Sequence, residues 1–204
     1  MISNLVFDMG GVLIQWDTAA MMKKLGLPEE DKAIMNRELL RTVEWIQQDH
    51  GFLSEKALEE IVLARLPERL WNSAKQLIGW YHWSLIPIPG MGELIEELKE
   101  NGYHIYLLSN ANPALRDYFP RIPGARCFEQ LMVSAEEKLL KPSHEIYERL
   151  YEKFGINPRE SFFVDDTPAN VEGARCTGMQ GAVFYGDVQR LRRDFRRAGI
   201  RCKE

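Results

Sequence analysis

The sequence predicts an α/β protein: a three-layer α/β/α core around a parallel sheet of about five strands, joined to an all-α insertion. Short apolar runs alternate with helix-like segments along most of the 204 residues, a pattern typical of parallel strands covered by helices on both faces of a sheet. The alternation stops between residues 16 and 86, where no strand pattern occurs. The insertion is therefore expected between the first strand and the rest of the sheet.

The strands are expected in five short apolar runs, each bounded by turn residues. They cover residues 3–7, 103–109, 131–133, 161–164 and 181–184. Helices are expected in the segments that lie between or after the later runs: residues 92–101, 142–154, 168–177 and 188–198. In the second of these segments, Ile146, Leu150 and Phe154 repeat at a spacing of four, which predicts an apolar face.

The insertion carries several helix signals. Pro28 followed by two glutamates is a typical helix start, and Ser54 can cap the N-terminus of a helix with apolar residues on one face. A further helix is predicted from Leu70 to about Tyr81, with Trp71 among its apolar residues. We therefore predict that this segment is entirely helical.

Prolines mark the return from the insertion to the sheet. The sequence "IPIPG" at residues 86–90 favours an extended linker, because residues that precede prolines avoid the helical conformation. We predict a core domain of residues 1–14 and 87–204 and a helical cap domain of residues 15–86. A cap inserted at this point can lie over the ends of the strands as a lid.

Composition limits the possible partners. The chain is 45% hydrophobic and 27% charged with a net charge of −4, which is ordinary for a soluble globular protein and argues against nucleic acid as a partner. One basic cluster is expected to form the solvated face of a helix: Arg190, Arg192, Arg193, Arg196, Arg197 and Arg201. No apolar stretch reaches the roughly 20 residues of a membrane-spanning helix, so no membrane partner is expected. With no signal peptide recognised, and three cysteines that lack metal-site spacing, we expect a cytoplasmic protein.

Reactive side chains follow several of the predicted strands. In an open parallel sheet, ligands bind beyond the carboxyl ends of the strands. These positions carry a candidate nucleophile, a hydroxyl, an amide, a cation and two further carboxylates: Asp8, Ser109, Asn110, Lys141, Asp165 and Asp166. Each residue taken singly is commonly a turn or capping residue. Their occurrence together at one edge of the sheet favours a functional site.

The three acids indicate a cation site. Adjacent Asp165 and Asp166 would repel each other and Asp8 unless a cation lay among them. A site of oxygen ligands with few carboxylates suits Mg²⁺, which keeps water and substrate phosphate among its ligands. The sequence therefore predicts Mg²⁺ as the cofactor.

Phosphate is the ligand that the remaining residues suit. Lys141 and Ser109 can hold phosphate oxygens next to the metal. The glycines after Asp8, Gly10 and Gly11, allow backbone N–H groups to approach the same anion. A small phosphorylated metabolite is thus the expected partner, and the sequence leaves the oligomeric state open.

Four short segments carry the candidate residues, in this order along the chain: "DMGGV", "LLSN", "KP" and "VDD" followed by "ANVEGA". Together they resemble the four motifs of the haloacid dehalogenase (HAD) superfamily. The resemblance covers nearly the whole chain, including a helical cap inserted just after the first motif. It implies a Rossmann-like core and a phosphatase-type hydrolase. The N-terminal motif resembles the "FDxGxV" branch, which includes sugar-phosphate phosphatases of the glucose-1-phosphate type.

The resemblance also implies roles for the candidate residues. Asp8 would be the nucleophile that forms an aspartyl-phosphate. Asp8, the backbone carbonyl of Gly10 and Asp166 would bind Mg²⁺, with Asp165 in support. Ser109 and Asn110 would bind the transferred phosphoryl group, and Lys141 would neutralise the charge of that group and the charge of Asp8.

One position departs from the pattern of the superfamily. Most of its phosphatases carry a second Asp two residues after the nucleophile, where this chain has Gly10. That Asp protonates the leaving alcohol and then activates water, and such general acid–base help is worth about 10²–10⁴ in rate. A phosphatase without it should favour leaving groups that need little protonation, such as an anomeric hydroxyl.

Gly10 leaves three interpretations open. The first is a Mg²⁺-dependent phosphatase of small phosphomonoesters, sugar phosphates in particular. The second is a 2-haloacid dehalogenase, in which halide leaves without a proton, although Asp165 and Asp166 argue against an enzyme that needs no metal. The third is a catalytically weak protein that binds a phosphorylated metabolite, against which the intact Asp8 and Lys141 count.

The cap offers candidates for substrate recognition. Residues 47–50 ("QQDH") lead into Gly51, which predicts a turn between two cap helices. Gln47 or His50 can face the site, and His50 can stand in as a proton donor. Trp16 can line the cavity, although a tryptophan in a small helical insertion is more often part of its core.

Overall fold

The computed structural model describes residues 1–203 and confirms the predicted fold class: a single sheet of five parallel strands with helices on both faces. The strands are β1 (Asn4–Phe7), β2 (His104–Ser109), β3 (Phe128–Val133), β4 (Ser161–Asp165) and β5 (Gln180–Val183). They are ordered β3-β2-β1-β4-β5 across the sheet. The chain thus starts at the centre of the sheet and adds strands on both sides of β1. The expected ligand site therefore lies beyond the carboxyl end of β1.

The register of the strands brings two of the acids side by side. Phe7 pairs with Leu107 of β2 and with Val164 of β4. Asp8 and Asp165 each follow the paired residues by one position. They therefore lie next to each other at the carboxyl edge of the sheet.

The insertion of residues 15–86, between β1 and β2, is helical, as predicted. Its α-helices are α1 (Thr18–Lys24), α2 (Glu29–Met35), α3 (Val43–Asp49), α4 (Glu55–Arg65) and α5 (Trp71–Ile78). A π-helical turn, Asn36–Leu40, follows α2 directly. Pro28 precedes α2, and the Ser54 hydroxyl caps α4 by accepting a hydrogen bond from the Ala57 amide at 3.2 Å. Both predicted helix starts are confirmed.

The helix predicted from Leu70 to about Tyr81 is shorter than expected. It ends at Ile78, and Trp80–His82 forms a separate 3₁₀ turn. Trp71 is 38% exposed, because its indole N–H donates to the Leu66 carbonyl at 3.1 Å and holds the ring at the start of the helix. Trp71 therefore contributes less to the core than its neighbours on the same helix.

Six α-helices accompany the remaining strands. They are α6 (Met91–Glu100), α7 (Leu115–Tyr118), α8 (Ser134–Glu137), α9 (His144–Phe154), α10 (Pro168–Cys176) and α11 (Val188–Arg197). Successive residues of a strand face opposite sides of the sheet. Phe7 accordingly meets Phe195 of α11 on one side, with ring centroids 6.3 Å apart, while Val6 packs in a cluster with α9 on the other. The apolar face predicted for α9 is confirmed, since its three residues are at most 9% exposed.

The insertion and the sheet are joined by two strand-like connections. Ile14 forms an antiparallel bridge with Pro87, and the Gln15 amide donates to the Ile86 carbonyl at 2.8 Å. Buried side chains of the insertion, such as Met22 and Leu58, belong to the same apolar cluster as Phe7 of β1. The insertion therefore packs directly against one side of the core.

The C-terminal arginines are not all solvated, contrary to the sequence-based expectation. Arg192 is 8% exposed, and its guanidinium lies 2.7 Å from the Glu97 carboxylate of α6. This ion pair fixes α11 to α6. Within residues 1–203, no helix has both the length and the apolar character needed to cross a membrane.

Candidate active site

The loop after β1 presents Asp8 at the sheet edge. The Asp8 amide donates to the Val164 carbonyl at 2.8 Å, so the strand pairing continues one residue beyond β1. The chain then folds back on itself, with the Leu13 amide donating to the Met9 carbonyl at 2.8 Å. Asp8 is 7% exposed, and what remains accessible opens into a cavity.

The two glycines of this loop differ in what they offer. Gly10 lines the cavity, whereas Gly11 does not. The Gly11 amide donates to the Ile14 carbonyl at 2.8 Å, so the expectation that this N–H binds phosphate is wrong. Gly11 instead serves by its lack of a side chain: with φ at +74°, a Cβ there would lie 2.5 Å from the Asp166 Cγ and closer still to one carboxylate oxygen.

Lys141 lies between two carboxylates. Its ammonium is 2.8 Å from Asp8 Oδ1 and 2.7 Å from Asp165 Oδ2, and it also donates to the Leu108 carbonyl at 3.0 Å. The residue is 4% exposed. All three donors of the ammonium are thus directed by the ends of β1, β2 and β4, which fixes its position at the site.

Asn110 holds the segment that carries Lys141. Its side-chain oxygen accepts from the Lys141 amide at 2.9 Å, and its side-chain nitrogen donates to the Lys141 carbonyl at 3.0 Å. This pair of bonds leaves one N–H of the amide for a ligand. Asn110 therefore positions Lys141 in addition to lining the cavity, and Ser109 lines the cavity beside it.

Asp165 is fully buried and its oxygens are already bonded. It accepts from the Thr167 amide at 2.8 Å and from the Asn170 side chain at 3.1 Å, in addition to its contact with Lys141. Asp166 is more accessible and lines the cavity with Asp8, whereas Asp165 does not. The arrangement suits Asp165 for orienting Lys141, and Asp8 and Asp166 for binding a ligand.

The three carboxylates form a group that can hold a metal ion. One ligand oxygen from each of Asp8, Asp165 and Asp166 lies within 4.8 Å of the others. When all are ionised, they exceed the single charge of Lys141 by two negative charges. Clustered carboxylate oxygens with this excess charge fit a hard divalent cation such as Mg²⁺.

Burial and charge act against each other at this centre. Burial raises the pKa of Asp8 to about 7, Lys141 opposes that rise, and Asp165 adds to it. The pKa of Asp166 is also raised, by burial and by the neighbouring Asp165. Burial would lower the pKa of Lys141, but the two carboxylates outweigh it and the pKa rises. A divalent cation at the carboxylates would favour their ionised forms.

A cavity of about 260 Å³ lies between the sheet edge and the helical insertion. The insertion contributes tryptophan rings to its wall: the centroid of Trp16 lies 4.8 Å from that of Trp80 and 6.2 Å from that of Trp45. Trp16 therefore does line the cavity. It is 39% exposed, so it also forms part of the cavity's rim.

Gln47 and His50 do not line the cavity, contrary to the expectation for the cap. Gln47 is exposed, and the His50 imidazole is hydrogen-bonded to the Lys138 carbonyl at 2.9 Å. The two residues between them, Gln48 and Asp49, line it instead. Since each residue of a helix turns the side chain by about 100°, the orientation of α3 decides which members of this short segment face inward.

Two further residues were not anticipated as parts of the site. Tyr118 of α7 lines the cavity, and no motif marks it in the sequence. Gln48 is 2% exposed, and its side-chain nitrogen has no hydrogen-bond partner within residues 1–203. A buried donor without a partner is costly in a folded protein, so a ligand that accepts from it would be favoured.

Comparison with known proteins identifies the family. The family model of haloacid dehalogenase-like hydrolases matches residues 2–178, and the chain belongs to this family. A sesquiterpene phosphatase of Aspergillus oryzae is 28% identical over 86% of this chain and 86% of its own length. A D-ribitol-5-phosphate phosphatase of Bacteroides thetaiotaomicron is 26% identical over 88% of this chain and 90% of its own length.

A solved structure has the same fold across nearly the whole chain. It is a HAD family enzyme of Bacteroides thetaiotaomicron in complex with magnesium and inorganic phosphate. Its TM-score is 0.72 at 26% sequence identity, covering 94% of this chain and 99% of that chain. The superfamily resemblance inferred from the motifs is therefore confirmed.

Proposed function

We propose that the protein is a Mg²⁺-dependent phosphatase that hydrolyses small phosphomonoesters, sugar phosphates among them, through a phosphoryl group carried on Asp8. The observation that carries the proposal is the contact of Lys141 with both Asp8 and Asp165 beside Asp166, at the floor of the cavity. This arrangement places a carboxylate nucleophile, a fixed cation and a metal site within one small volume. The phosphatases among the relatives support the same reaction type.

Asp8, Asp166 and the backbone carbonyl of Gly10 would hold the metal. Bound Mg²⁺ would neutralise phosphate oxygens and orient the phosphoryl group. Asp165 would act through Lys141, because its own oxygens are bonded within the protein. The magnesium and phosphate complex of the Bacteroides enzyme supports Mg²⁺ as the metal.

Asp8 has one carboxylate oxygen bound to Lys141 and a second available for attack. In the first step, that oxygen forms a bond to phosphorus as the bond to the leaving alcohol breaks. Lys141 and the free N–H of Asn110 stabilise the charge of the transferred group. In the second step, water attacks the phosphorus, the bond to Asp8 breaks, and phosphate leaves.

The cavity favours a substrate that has hydroxyl groups as well as an apolar face. At about 260 Å³, it is slightly smaller than the roughly 300–1,000 Å³ typical of small-molecule sites, which favours a small substrate. The buried amide nitrogen of Gln48 has no hydrogen-bond partner within residues 1–203, and a sugar or polyol hydroxyl would be a suitable acceptor. The rings of Trp16 and Trp80 provide a surface for the carbon skeleton. These features, with the D-ribitol-5-phosphate phosphatase relative, support sugar phosphates.

The other two interpretations have less support. A dehalogenase of this fold needs no metal, and the cluster of three carboxylates would then have no role. A protein that only binds a phosphorylated metabolite would gain nothing from a carboxylate directed at an anion. The position of Asp8 beside Lys141 is what a nucleophile for phosphorus requires.

The test is phosphate release from a panel of phosphomonoesters, with Mg²⁺ and with EDTA, beside an Asp8→Asn variant. Turnover should require both Mg²⁺ and Asp8. A matched variant, Asp117→Asn, changes an exposed acid outside the site and should keep full activity. Dehalogenation of 2-chloropropionate in EDTA, without phosphate release from any ester, would contradict the proposal.

A second arm addresses the substrate class. Gln48→Met keeps the size of the side chain but removes the amide donor. The KM for sugar and polyol phosphates should rise about two- to twelvefold, since one hydrogen bond is worth about 0.5–1.5 kcal/mol. The KM for an alkyl phosphate without hydroxyls should stay unchanged. An equal change for both substrates would argue against recognition of hydroxyls by Gln48.

A further inference from the structure

The proposed reaction lacks an evident proton donor on the floor of the cavity. Position 10, which carries an acid in most phosphatases that the motifs resemble, is a glycine. Lys141 is held by Asp8 and Asp165 and keeps its proton. The His50 imidazole is hydrogen-bonded to the Lys138 carbonyl and does not line the cavity. The donor must therefore come from elsewhere on the cavity wall.

Asp49 is a carboxyl group on that wall. It is the last residue of α3 and lines the same cavity as Asp8. Within residues 1–203, no side chain donates a hydrogen bond to its carboxyl group or forms an ion pair with it. Burial raises its pKa from 3.8 to about 7, and its place at the C-terminus of a helix also disfavours the ionised form.

Contacts with the core hold Asp49 in place. The Ser134 hydroxyl donates to the Asp49 carbonyl at 2.5 Å and accepts from the Ala111 amide at 2.9 Å, which connects the end of α3 to the loop after β2. Gly51 lies two residues after Asp49, and its carbonyl accepts a hydrogen bond from the Lys138 ammonium. The turn that follows α3 is thus fixed to the edge of the core at two points.

Gly51 allows this close approach. Its φ is +75°, and a Cβ there would overlap the Ala135 carbonyl oxygen and lie 2.8 Å from the carbonyl carbon. No larger residue fits between α3 and the segment after β3. The contact sets the position of Asp49 relative to Asp8 and Ser109, as the role of an acid at a reacting group requires.

We propose that Asp49 is the general acid and general base of the reaction, supplied by the cap in place of the missing acid at position 10. The inference rests on the proposed phosphatase function. In the first step, the Asp49 carboxyl proton passes to the alcohol oxygen as its bond to phosphorus breaks, which leaves Asp49 ionised. In the second step, the Asp49 carboxylate takes a proton from water as the water oxygen bonds to phosphorus and the bond to Asp8 breaks. Asp49 regains its proton, and the cycle closes.

The charged and titratable groups around Asp49 are compatible with this role. Tyr118 of α7 lies near both Asp49 and Asp8, and burial raises the pKa of its phenol, so it stays neutral. Lys138 and His50 are engaged with the backbone of the facing segments. Within residues 1–203, no side chain is hydrogen-bonded to the Asp49 carboxyl group, so its proton is available to a ligand in the cavity.

The test compares leaving groups in the Asp49→Asn variant. p-Nitrophenol leaves without a proton, so the first-turnover burst of p-nitrophenol should keep its wild-type rate. The first-turnover release of the alcohol from an alkyl phosphate should fall by about 10²–10⁴. Steady-state turnover should fall for both substrates, because the second step also loses its base.

The pH profile supplies a second readout. For wild type, kcat/KM on alkyl phosphates should fall as pH rises above about 7, since the acid must be protonated in the free enzyme. Asp49→Asn should lack that limb. Equal loss of the burst with both leaving groups, or no loss with either, would overturn the role of Asp49. A wild-type protein that releases no phosphate from any ester refutes the proposed function instead.

Discussion

Gly11→Ala separates the role of Asp166 from the general stability of the chain. Gly11 has φ at +74°, and an added methyl group would collide with the Asp166 carboxylate. The carboxylate must then turn away from Asp8. Gly155→Ala is a matched control, because Gly155 has φ at +66° with open space where the Cβ would lie.

The two variants share the backbone cost and differ in the collision. A non-glycine residue in the left-handed region costs roughly 1–2 kcal/mol, which both variants should lose in urea denaturation with EDTA present. Displacement of a metal-binding group should weaken Mg²⁺ binding about 10- to 100-fold in Gly11→Ala alone. This corresponds to about 1.4–2.8 kcal/mol of binding free energy.

Isothermal titration with Mg²⁺ measures this difference directly. Gly155→Ala should bind Mg²⁺ with wild-type affinity, and Gly11→Ala should not. Unfolding at one fixed, high Mg²⁺ concentration should show the same contrast, because a ligand that binds only the folded state stabilises it by an amount that grows with the logarithm of its concentration divided by Kd. Wild-type Mg²⁺ affinity in Gly11→Ala would refute the assignment of Asp166 to the metal.

Three further predictions concern the charged groups of the site. Lys141→Met should lower the free energy of unfolding by about 3–5 kcal/mol in urea denaturation with EDTA at pH 7, because two buried carboxylates lose the ammonium between them. The control Lys153→Met, on the exposed side of α9, should lower it by less than about 1 kcal/mol. An equal loss in both variants would contradict the argument. Asp49→Asn should leave the free energy of unfolding unchanged at pH 4 and raise it at pH 8 by up to about 4 kcal/mol. The reason is that the raised pKa of Asp49 makes the wild-type folded state lose stability as pH rises from about 4 to 7. Equal stability of the two proteins at pH 8 would exclude the raised pKa. Gly10→Asp in the Asp49→Asn background should raise alkyl phosphate turnover at least tenfold, because a carboxyl group at position 10 can donate the proton. The site has room for it, since a Cβ at position 10 meets only Trp16, at 3.5 Å. If the double variant folds but does not recover activity, the missing acid is not the cause of the loss.

The sheet and its reactive edge could be predicted from the sequence. Apolar runs that end at Asp8, Ser109 and Asp165 mark parallel strands, and parallel strands place their carboxyl ends together. The α9 stripe follows from its spacing of four. β3 begins at Phe128 rather than at 131, because its first residues are partly exposed at the edge of the sheet and lack a continuous apolar run.

The cavity wall could not be predicted in the same way. Which of residues 47–50 faces inward depends on the orientation of α3, and that orientation is set by contacts of Asp49 and Gly51 with a core segment more than 80 residues away in the chain. The bond between the Gly11 amide and Ile14 likewise depends on the loop's fold. Sequence patterns identify residues at strand ends, whereas side chains that reach the site from an inserted domain depend on tertiary contacts.

The account depends most directly on Asp8 as the nucleophile. The protein should be mixed with a sugar phosphate and Mg²⁺, quenched in acid within milliseconds, and digested for mass spectrometry. A phosphoryl group on the peptide that contains Asp8, absent from the Asp8→Asn protein and from samples in EDTA, is the predicted result. Phosphate release at full rate without any phosphorylated peptide, or with Asp8 replaced, would contradict the account.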